Sequence, residues 1–303
     1  MIMPPPQFPD FKPVALEDRL FIHDILWTYA PGMSEMTFAN LFIWRDHYKF
    51  WWAVYKDWLL IISHEGANGT YALQPVGPSS RKEAVAVLFD WLRSERGSDN
   101  PRIERADERC VSELAGLGHL VIEPLREHFD YVYRKTDLTE LAGNRYRSKR
   151  NHINQFLRFY AYEYDFLRDK YIDDCLTLQE KWCQMNRCED DLDLLGEDEA
   201  IREILTRYDN LSLKGAVIIV GGRVGAFTVG EQLNHNTVVV HIEKADPDIP
   251  GLYQLINQQF CKNMGEEIVY VNREQDLGID GLRRAKLSYC PDHFIEKYRI
   301  TAI

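Results

Sequence analysis

The sequence lacks a hydrophobic run long enough to cross a membrane. No apolar stretch reaches the ~18 residues that a bilayer-spanning helix needs. The first ten residues are rich in proline and have neither the basic start nor the apolar centre of a secretory signal peptide. We therefore predict a cytoplasmic protein without a transmembrane segment.

Cysteine is scarce, with six residues in a chain of 303. No two of them form a Cys-x-x-Cys pair, and Cys183 and Cys188 have no second pair of ligands nearby. The spacing typical of a structural zinc site is therefore absent. We expect free thiols and no bound metal.

Positive charge is in the minority, because 36 Lys and Arg residues face 47 Asp and Glu residues. The formal net charge is −11 and the isoelectric point is about 5.3. This balance argues against a protein whose whole surface binds nucleic acid, but it is compatible with a local basic groove.

The sequence does contain enough apolar residues, 45% of the chain, for one large or two ordinary domains. The first part alternates between helical and strand patterns in the order of an α/β unit. The predicted helices are 16–27, 37–44, one that begins near 79, and 107–117, and the predicted strands are 50–55, 58–63, 70–75, 102–106 and 131–134.

A second unit follows a short junction at 137–143. Its pattern predicts helices at 171–186, 200–208 and 251–264, and strands at 214–220, 223–233 and 237–244. Two strong hairpin signals, Gly221-Gly222 and residues 234–236, join the three strands. We predict an α/β (α+β) fold with two mixed, mostly antiparallel sheets flanked by helices, in domains 1–138 and 139–303.

Polar residues gather at the end of a strand near the C-terminus. The β-branched run 268–271 predicts a buried strand that stops at Asn272, and a basic helix is predicted at 279–287. Open sheets place ligand sites at the carboxyl ends of their strands, which makes Asn272, Arg273 and Asp276 candidate binding residues. The alternative is a solvated surface helix beside an edge strand.

One strong basic cluster lies between residues 145 and 158 and is interleaved with aromatic residues. Together with the basic helix near the C-terminus, it could contact the phosphates of a nucleic acid. The alternative is a solvated helix face that pairs with the many acidic residues. The cluster and the helix supply five candidate binding residues, namely Lys149, Arg150, Asn151, Arg284 and Lys286.

The strand at 237–244 carries the candidate catalytic residues. Strict alternation would place His241 and Glu243 on one face, where either could act as a general base in acyl transfer. Glu231 on the neighbouring strand is a further carboxylate, and Tyr253 or Tyr289 could protonate the leaving group. The alternative is a hydrogen-bonded core histidine or an exposed sheet face.

Six segments of the sequence form recognisable motifs, at residues 141–143, 149–154, 241–245, 251–253, 270–278 and 282–289. In these segments, which extend over most of the chain, the sequence resembles a bacterial family similar to the C-terminal domain of phosphatidylglycerol lysyltransferase. The resemblance implies tandem GNAT-like acyltransferase domains, related to lysyl-phosphatidylglycerol synthases and Fem-type aminoacyltransferases.

A loop departs from the GNAT pattern. Enzymes of that fold that use coenzyme A normally hold its pyrophosphate in a glycine-rich loop at a helix N-terminus. Here the loop 244–251 carries two aspartates and two prolines, which add negative charge and remove N–H donors. The implied donor is acyl-CoA or an aminoacyl-tRNA, and no tightly bound cofactor is expected.

The sequence thus predicts an acyl- or aminoacyl-transferase with a small-molecule, lipid or peptide acceptor and tRNA as a candidate partner. The second half would supply the chemistry, since every basic and strand-end cluster falls after residue 140. The alternative is a non-catalytic module of the same fold that binds a metabolite, a carrier-linked acyl group or a protein.

Overall fold

The computed structural model describes residues 4–66 and 69–303. Contacts divide the chain into unit 1, residues 1–130 and 295–303, and unit 2, Tyr131–Phe294. The elements up to the division are β1 (Lys12–Pro13), α1 (Arg19–Tyr29), α2 (Phe38–Ile43), α3 (Arg45–Tyr48), β2 (Phe50–Tyr55), β3 (Trp58–Gly66), β4 (Gly69–Ala72), α4 (Lys82–Ser94), β5 (Arg102–Asp107), α5 (Glu108–Leu114), β6 (Leu120–Pro124) and β7 (Asp130–Arg134).

The rest of the chain forms a second α/β set and a last strand. These elements are α6 (Lys135–Glu140), α7 (Arg147–Phe159), β8 (Tyr162–Phe166), α8 (Ile172–Asn186), α9 (Leu192–Thr206), α10 (Tyr208–Leu211), β9 (Lys214–Val220), β10 (Arg223–Asn234), β11 (Thr237–Ala245), α11 (Leu252–Lys262), β12 (Tyr270–Asn272), α12 (Asp280–Leu287), β13 (His293–Ile295) and β14 (Lys297–Ala302). Among the described residues, no helix has the length and apolarity to cross a bilayer.

Each unit is built on a seven-stranded mixed sheet. The orders are β1-β2-β3-β4-β5-β14-β6 and β13-β7-β12-β11-β10-β9-β8. Parallel pairing occurs between β4 and β5 and between β11 and β12, and antiparallel pairs form most of the remaining ladders. The predicted fold class, two mixed and mostly antiparallel sheets flanked by helices, is confirmed.

The division between the units differs from the predicted boundary at 138/139. Residues Tyr270–Asn272 of β12 pair with β7, so that Tyr131–Arg134 belong to the second sheet. The last strand, β14, lies between β5 and β6 and returns residues 295–303 to unit 1. Both pairings join residues that are far apart in sequence.

Helix α11 packs along the sheet of unit 2 and meets α7 at its first turn. Leu255, Ile256 and Phe260 of α11 are buried with Phe156 of α7 in one apolar cluster. Gly251, at the start of α11, has a φ of +88°, and a Cβ there would lie 2.2 Å from the carbonyl oxygen of His152. The close approach of the two backbones therefore requires glycine.

The expectation of six free thiols is wrong for one pair. Cys183 and Cys188 form a disulfide, with their Cα atoms 5.1 Å apart. Helix α8 ends at Asn186, and the left-handed backbone of Arg187 turns the chain back toward the helix. The spacing of Cys183 and Cys188 does not predict this pairing, because the pairing depends on the local turn. The other four cysteines are free.

A buried ion network anchors β14 in unit 1. Lys297 is fully buried and its ammonium group donates to Glu35 at 2.6 Å and to Asp130 at 2.6 Å. Ser34 donates to the same aspartate through its N–H and its hydroxyl. Burial by itself would lower the pKa of Lys297, but the charges of the two carboxylates outweigh it and raise the pKa.

Removal of the ammonium group should strongly destabilise the protein. Lys297→Met removes the cation that Glu35 and Asp130 share, and breaking a buried ion pair typically costs about 3–5 kcal/mol. The matched control is Lys56→Met, because Lys56 pairs with Glu83 at the surface, where ion pairs contribute little. Urea denaturation of both variants measures the difference, and equal midpoints would contradict the structural role of Lys297.

Candidate functional site

Strands β11 and β12 separate at the point where the candidate residues lie. They pair in parallel over only three positions, from Thr237 and Tyr270 to Val239 and Asn272. The next residue, Arg273, donates its N–H to the carbonyl of Tyr131 at 2.9 Å. The chain beyond β12 thus stays with β7 and leaves the second half of β11 open on that side.

A β-bulge in β11 sets the directions of the candidate side chains. Val229 pairs with Ile242, whereas the next residue, Gly230, pairs with Val240, so that His241 is the extra residue. The alternation of faces is reversed beyond the bulge. The prediction that His241 and Glu243 share one face is therefore wrong.

His241 is held between two carboxylates. Its Nδ1 lies 2.8 Å from Glu274 Oε1 and its Nε2 lies 3.0 Å from Glu231 Oε1. The side chain is only 1% exposed. Burial alone would lower the pKa of His241, but the hydrogen bonds and charges of the two glutamates outweigh burial and raise it to about 9. At neutral pH the ring is therefore protonated and donates from both nitrogens.

This arrangement does not favour His241 as a general base, because a protonated ring has no free lone pair to accept a proton. Sequence reasoning did not single out Glu274, which has a left-handed backbone with φ +58°. Its N–H donates to Asn272 Oδ1 at 2.8 Å, which fixes the turn after β12. The sequence feature that could have identified Glu274 is its position, two residues after the predicted strand that ends at Asn272.

Glu243 lies on the opposite face, toward α11. Its Oε1 accepts a hydrogen bond from Arg273 Nη2 at 2.8 Å, and its Oε2 accepts one from Asn257 Nδ2 at 3.1 Å. Both side chains of the ion pair are largely buried, with 11% exposure for Glu243 and 15% for Arg273. Burial would lower the pKa of Arg273, but the charge of Glu243 outweighs it and raises the pKa. Asn257 was not predicted.

Two cations meet over the ring of Tyr289. The guanidinium of Arg273 lies 4.9 Å from the ring centroid and Lys149 Nζ lies 4.1 Å from it. Burial and the charge of Arg273 lower the pKa of Lys149, and burial raises the pKa of Tyr289. The structure therefore brings together Lys149 of the predicted basic cluster and Arg273 of the predicted strand-end group, although 124 positions separate them.

Two other predicted binding residues, Arg150 and Lys286, donate hydrogen bonds to backbone carbonyl groups. Arg150 donates to the carbonyls of Leu141 and Gly143, and Lys286 donates to the carbonyl of Arg273. Asn151 and Arg284 are exposed. These four residues do not converge on Tyr289 through any of these contacts, so that Lys149 and Arg273 form the cationic centre of the site.

Asp276 and Tyr253 have other surroundings. Asp276 is fully buried and accepts hydrogen bonds from Tyr131, from Arg283 and from the N–H of Gly278. Burial would raise its pKa, but these hydrogen bonds outweigh burial and lower it to about 2. Asp276 therefore fixes the turn before α12. Tyr253, in the first turn of α11, packs against the core of unit 2, and burial raises its pKa.

The two aspartates of the loop between β11 and α11 share one lysine. Lys181 Nζ donates to Asp246 at 2.7 Å and to Asp248 at 2.7 Å. Lys244 pairs with Glu197 at 2.9 Å and lies over the ring of Trp182. In the part of the chain that the structure describes, no group of His, Cys, Asp or Glu residues is arranged to bind a metal.

The two hydrogen bonds of His241, to Glu231 and Glu274, predict how the free energy of unfolding depends on pH. A pKa raised from about 6.5 to about 9 stabilises the fold below pH 6.5, and this contribution, of order 3 kcal/mol, is lost as the pH rises through 9. Glu274→Gln should remove a large part of this contribution, because one of the two charged partners of His241 is lost. Urea denaturation at pH 6 and at pH 10 should show a large difference from wild type only at the lower pH. Glu266→Gln, at an exposed position, is the control. If the difference in free energy of unfolding between Glu274→Gln and wild type were the same at both pH values, the stabilisation of protonated His241 by Glu274 would be contradicted.

This chain is similar to one protein family and to several solved structures. The family model described as "Phosphatidylglycerol lysyltransferase, C-terminal" matches residues 28–301. A conserved protein of unknown function from Bacteroides thetaiotaomicron is 33% identical, with a TM-score of 0.91 over 97% of this chain and 99% of that one. L-PGS from Bacillus licheniformis is 12% identical, with a TM-score of 0.66 over 98% and 93%.

A tandem GNAT protein from the clavulanic acid biosynthesis pathway is 12% identical, with a TM-score of 0.52 over 97% of this chain and 98% of that one. At this identity the likeness concerns the fold alone. Together with the two seven-stranded sheets, it identifies the architecture as a tandem GNAT fold. Because the family model covers most of the 303 residues, this chain belongs to the phosphatidylglycerol lysyltransferase C-terminal family.

Proposed function

We propose that unit 2 transfers an aminoacyl group from a tRNA to an amine or hydroxyl acceptor. The observation that carries the proposal is the meeting of Glu243, Arg273 and Lys149 at the open end of β11, around Tyr289. A carboxylate that can accept a proton and two cations that can hold an anionic donor are what such a transfer requires. The family membership supports this reaction class.

The loop 244–251 favours tRNA over coenzyme A as the carrier of the donor. Its two aspartates are bound to Lys181, and the carbonyl of His152 lies against the start of α11. A pyrophosphate at that helix start would meet two carboxylates and a carbonyl oxygen in place of free N–H donors. The start of α11 is therefore a poor site for the pyrophosphate.

Helix α7 offers a surface for the tRNA. It contains four basic residues and no acidic residue, in a chain with a net charge of −11. Arg147, Asn151 and Arg158 are exposed on it and recur at helical spacing. Such a stripe can contact successive phosphates, while Lys149 faces inward from the same helix toward Tyr289.

In the proposed reaction the acceptor attacks the ester carbonyl carbon of the donor, and the bond from that carbon to the ribose oxygen breaks. Glu243 accepts the proton that the acceptor loses. Tyr289, whose pKa is raised by burial, is protonated before the reaction and transfers its proton to the departing ribose oxygen. The proton that Glu243 took from the acceptor then returns to Tyr289, so that one proton leaves the acceptor, one reaches the ribose oxygen, and both side chains end as they began.

The alternative is a binding module without turnover. The observation that favours it is that both oxygens of Glu243 already accept hydrogen bonds, from Arg273 and from Asn257. A thermal-shift panel of acyl-CoAs, aminoacyl-tRNAs and free nucleotides identifies the ligand, because a ligand that binds only the native state raises the midpoint. Binding of an aminoacyl-tRNA without release of the amino acid to any amine or hydroxyl acceptor would favour the module.

Substitutions at the site should separate chemistry from binding. Glu243→Gln should lower kcat by roughly 10²-fold or more with a smaller change in KM, because it removes the proton acceptor and keeps the shape. Lys149→Met should chiefly raise KM, because it removes a cation that holds the donor. Steady-state transfer from aminoacyl-tRNA measures both. Unchanged turnover in Glu243→Gln would exclude its assignment as the base.

The α7 surface is tested by the salt dependence of tRNA affinity. Each lost phosphate contact should reduce the slope of log K against log salt by roughly 0.7–0.9. The double variant Arg147→Ala, Arg158→Ala should therefore bind tRNA with a slope about 1.5 shallower than wild type. Arg223→Ala, an exposed arginine at the start of β10, is the control. Equal slopes for the three proteins would place the tRNA elsewhere.

A further inference from the structure

Lys149 has a cationic neighbour but no anionic partner. Its Nζ atom lies 4.1 Å from the centroid of the Tyr289 ring, and it forms no ion pair or hydrogen bond among the residues that the structure describes. By contrast, Lys181 binds two aspartates and Lys244 pairs with Glu197. No carboxylate therefore stabilises the charged form of Lys149 through a direct contact.

The surroundings of Lys149 favour its neutral amine, which is the nucleophilic form of a lysine. Burial and the charge of Arg273 lower the pKa of Lys149, and Cys290 acts in the opposite direction. Burial raises the pKa of Tyr289, so that its ring stays uncharged beside the amine. At the surface the reverse holds, since a hydrogen bond to a carboxylate raises the pKa of Lys56. Lys149 is also partly exposed, so that a reagent in solution can reach it.

Arg273 can hold an anion beside this amine. Its guanidinium lies 4.9 Å from the centroid of the same Tyr289 ring. It donates to Glu243 through Nη2, and 15% of its side chain is exposed. A guanidinium has five N–H donors in a planar fork that fits the oxygens of a phosphate. A nucleophilic amine and a group suited to phosphate therefore lie at one aromatic ring.

We propose that Lys149 is a modification site that small acyl phosphates acylate, with Arg273 binding the phosphate of the reagent. The Nζ atom attacks the carbonyl carbon, and the bond from that carbon to the phosphate oxygen breaks. The phosphate leaves with the electron pair of this bond and takes the proton that Nζ loses, so that the products are a neutral amide and inorganic phosphate.

Acylation would change the charge of the site. The amide carries no charge, so that one of the two cations at the Tyr289 ring is lost. A site with one cation fewer holds an anionic ligand less strongly. Only this consequence for the transfer site rests on the proposed function, because the modification itself needs no transfer activity.

The test measures the acetylation of each lysine in the folded full-length chain by acetyl phosphate, with peptide mass spectrometry. Lys149 should react roughly tenfold or more faster than Lys262, because a reagent bound next to the amine reacts as in an intramolecular step. Lys262 is the matched control, since it is exposed at the end of α11 and has no ion pair among the described residues. Inorganic phosphate should compete for Arg273 and slow the reaction at Lys149 only.

A reagent without a phosphate separates binding from intrinsic reactivity. Acetylation of Lys149 by the neutral succinimidyl ester of acetic acid should not be slowed by inorganic phosphate. The proposal would be overturned if acetyl phosphate modified Lys149 no faster than Lys262. It would also be overturned if inorganic phosphate left the reaction of acetyl phosphate at Lys149 unchanged, because Arg273 would then not bind the reagent. All of these measurements use the wild-type protein, so that none depends on the folding of a variant.

Discussion

The single extra residue in β11 determines the layout of unit 2. With the bulge at His241, the histidine ring lies between Glu231 and Glu274, whereas the carboxylate of Glu243 lies on the α11 side with Arg273. An unbulged strand would direct both side chains to one face, where a protonated histidine would sit beside the carboxylate. The bulge therefore separates a charge-stabilised structural element from the group proposed to accept a proton.

Buried cations in this protein are held by acceptors from different elements. His241 is bound by one glutamate on β10 and one beyond β12, and Lys297 is bound by Glu35 ahead of α2 and Asp130 at the start of β7. Removing one partner leaves a buried charge, which is much more costly than losing a surface pair. Each cation thereby ties together segments that are distant in sequence. We infer that these networks contribute to the choice of strand partners.

Much of the fold could be predicted from local patterns. Strand β2 was expected at its observed bounds, and α12 was expected to begin one residue before its observed start. Features that depend on distant or irregular backbone could not be predicted in this way. The return of β14 to unit 1, the bulge at His241 and the disulfide at Cys183 all depend on pairing or turn geometry that a period of 2 or 3.6 does not contain. The sequence predicted which residues gather at the site. It did not predict their roles, because the role of a residue such as His241 or Glu243 depends on the charged side chains that contact it in the fold.

The position of β14 has a consequence for synthesis on the ribosome. Its two neighbours, β5 and β6, emerge more than 170 residues before it, and all of unit 2 is made in between. Until residues 297–302 leave the exit tunnel, the sheet of unit 1 has a gap and Glu35 and Asp130 lack their lysine. During this time the edges of β5 and β6 that face β14 are unpaired. Unpaired strand edges promote aggregation, and chaperones protect nascent chains that expose them. In unit 2, every strand except the edge strand β13 lies before residue 273, so that most of its sheet can form before β14 emerges.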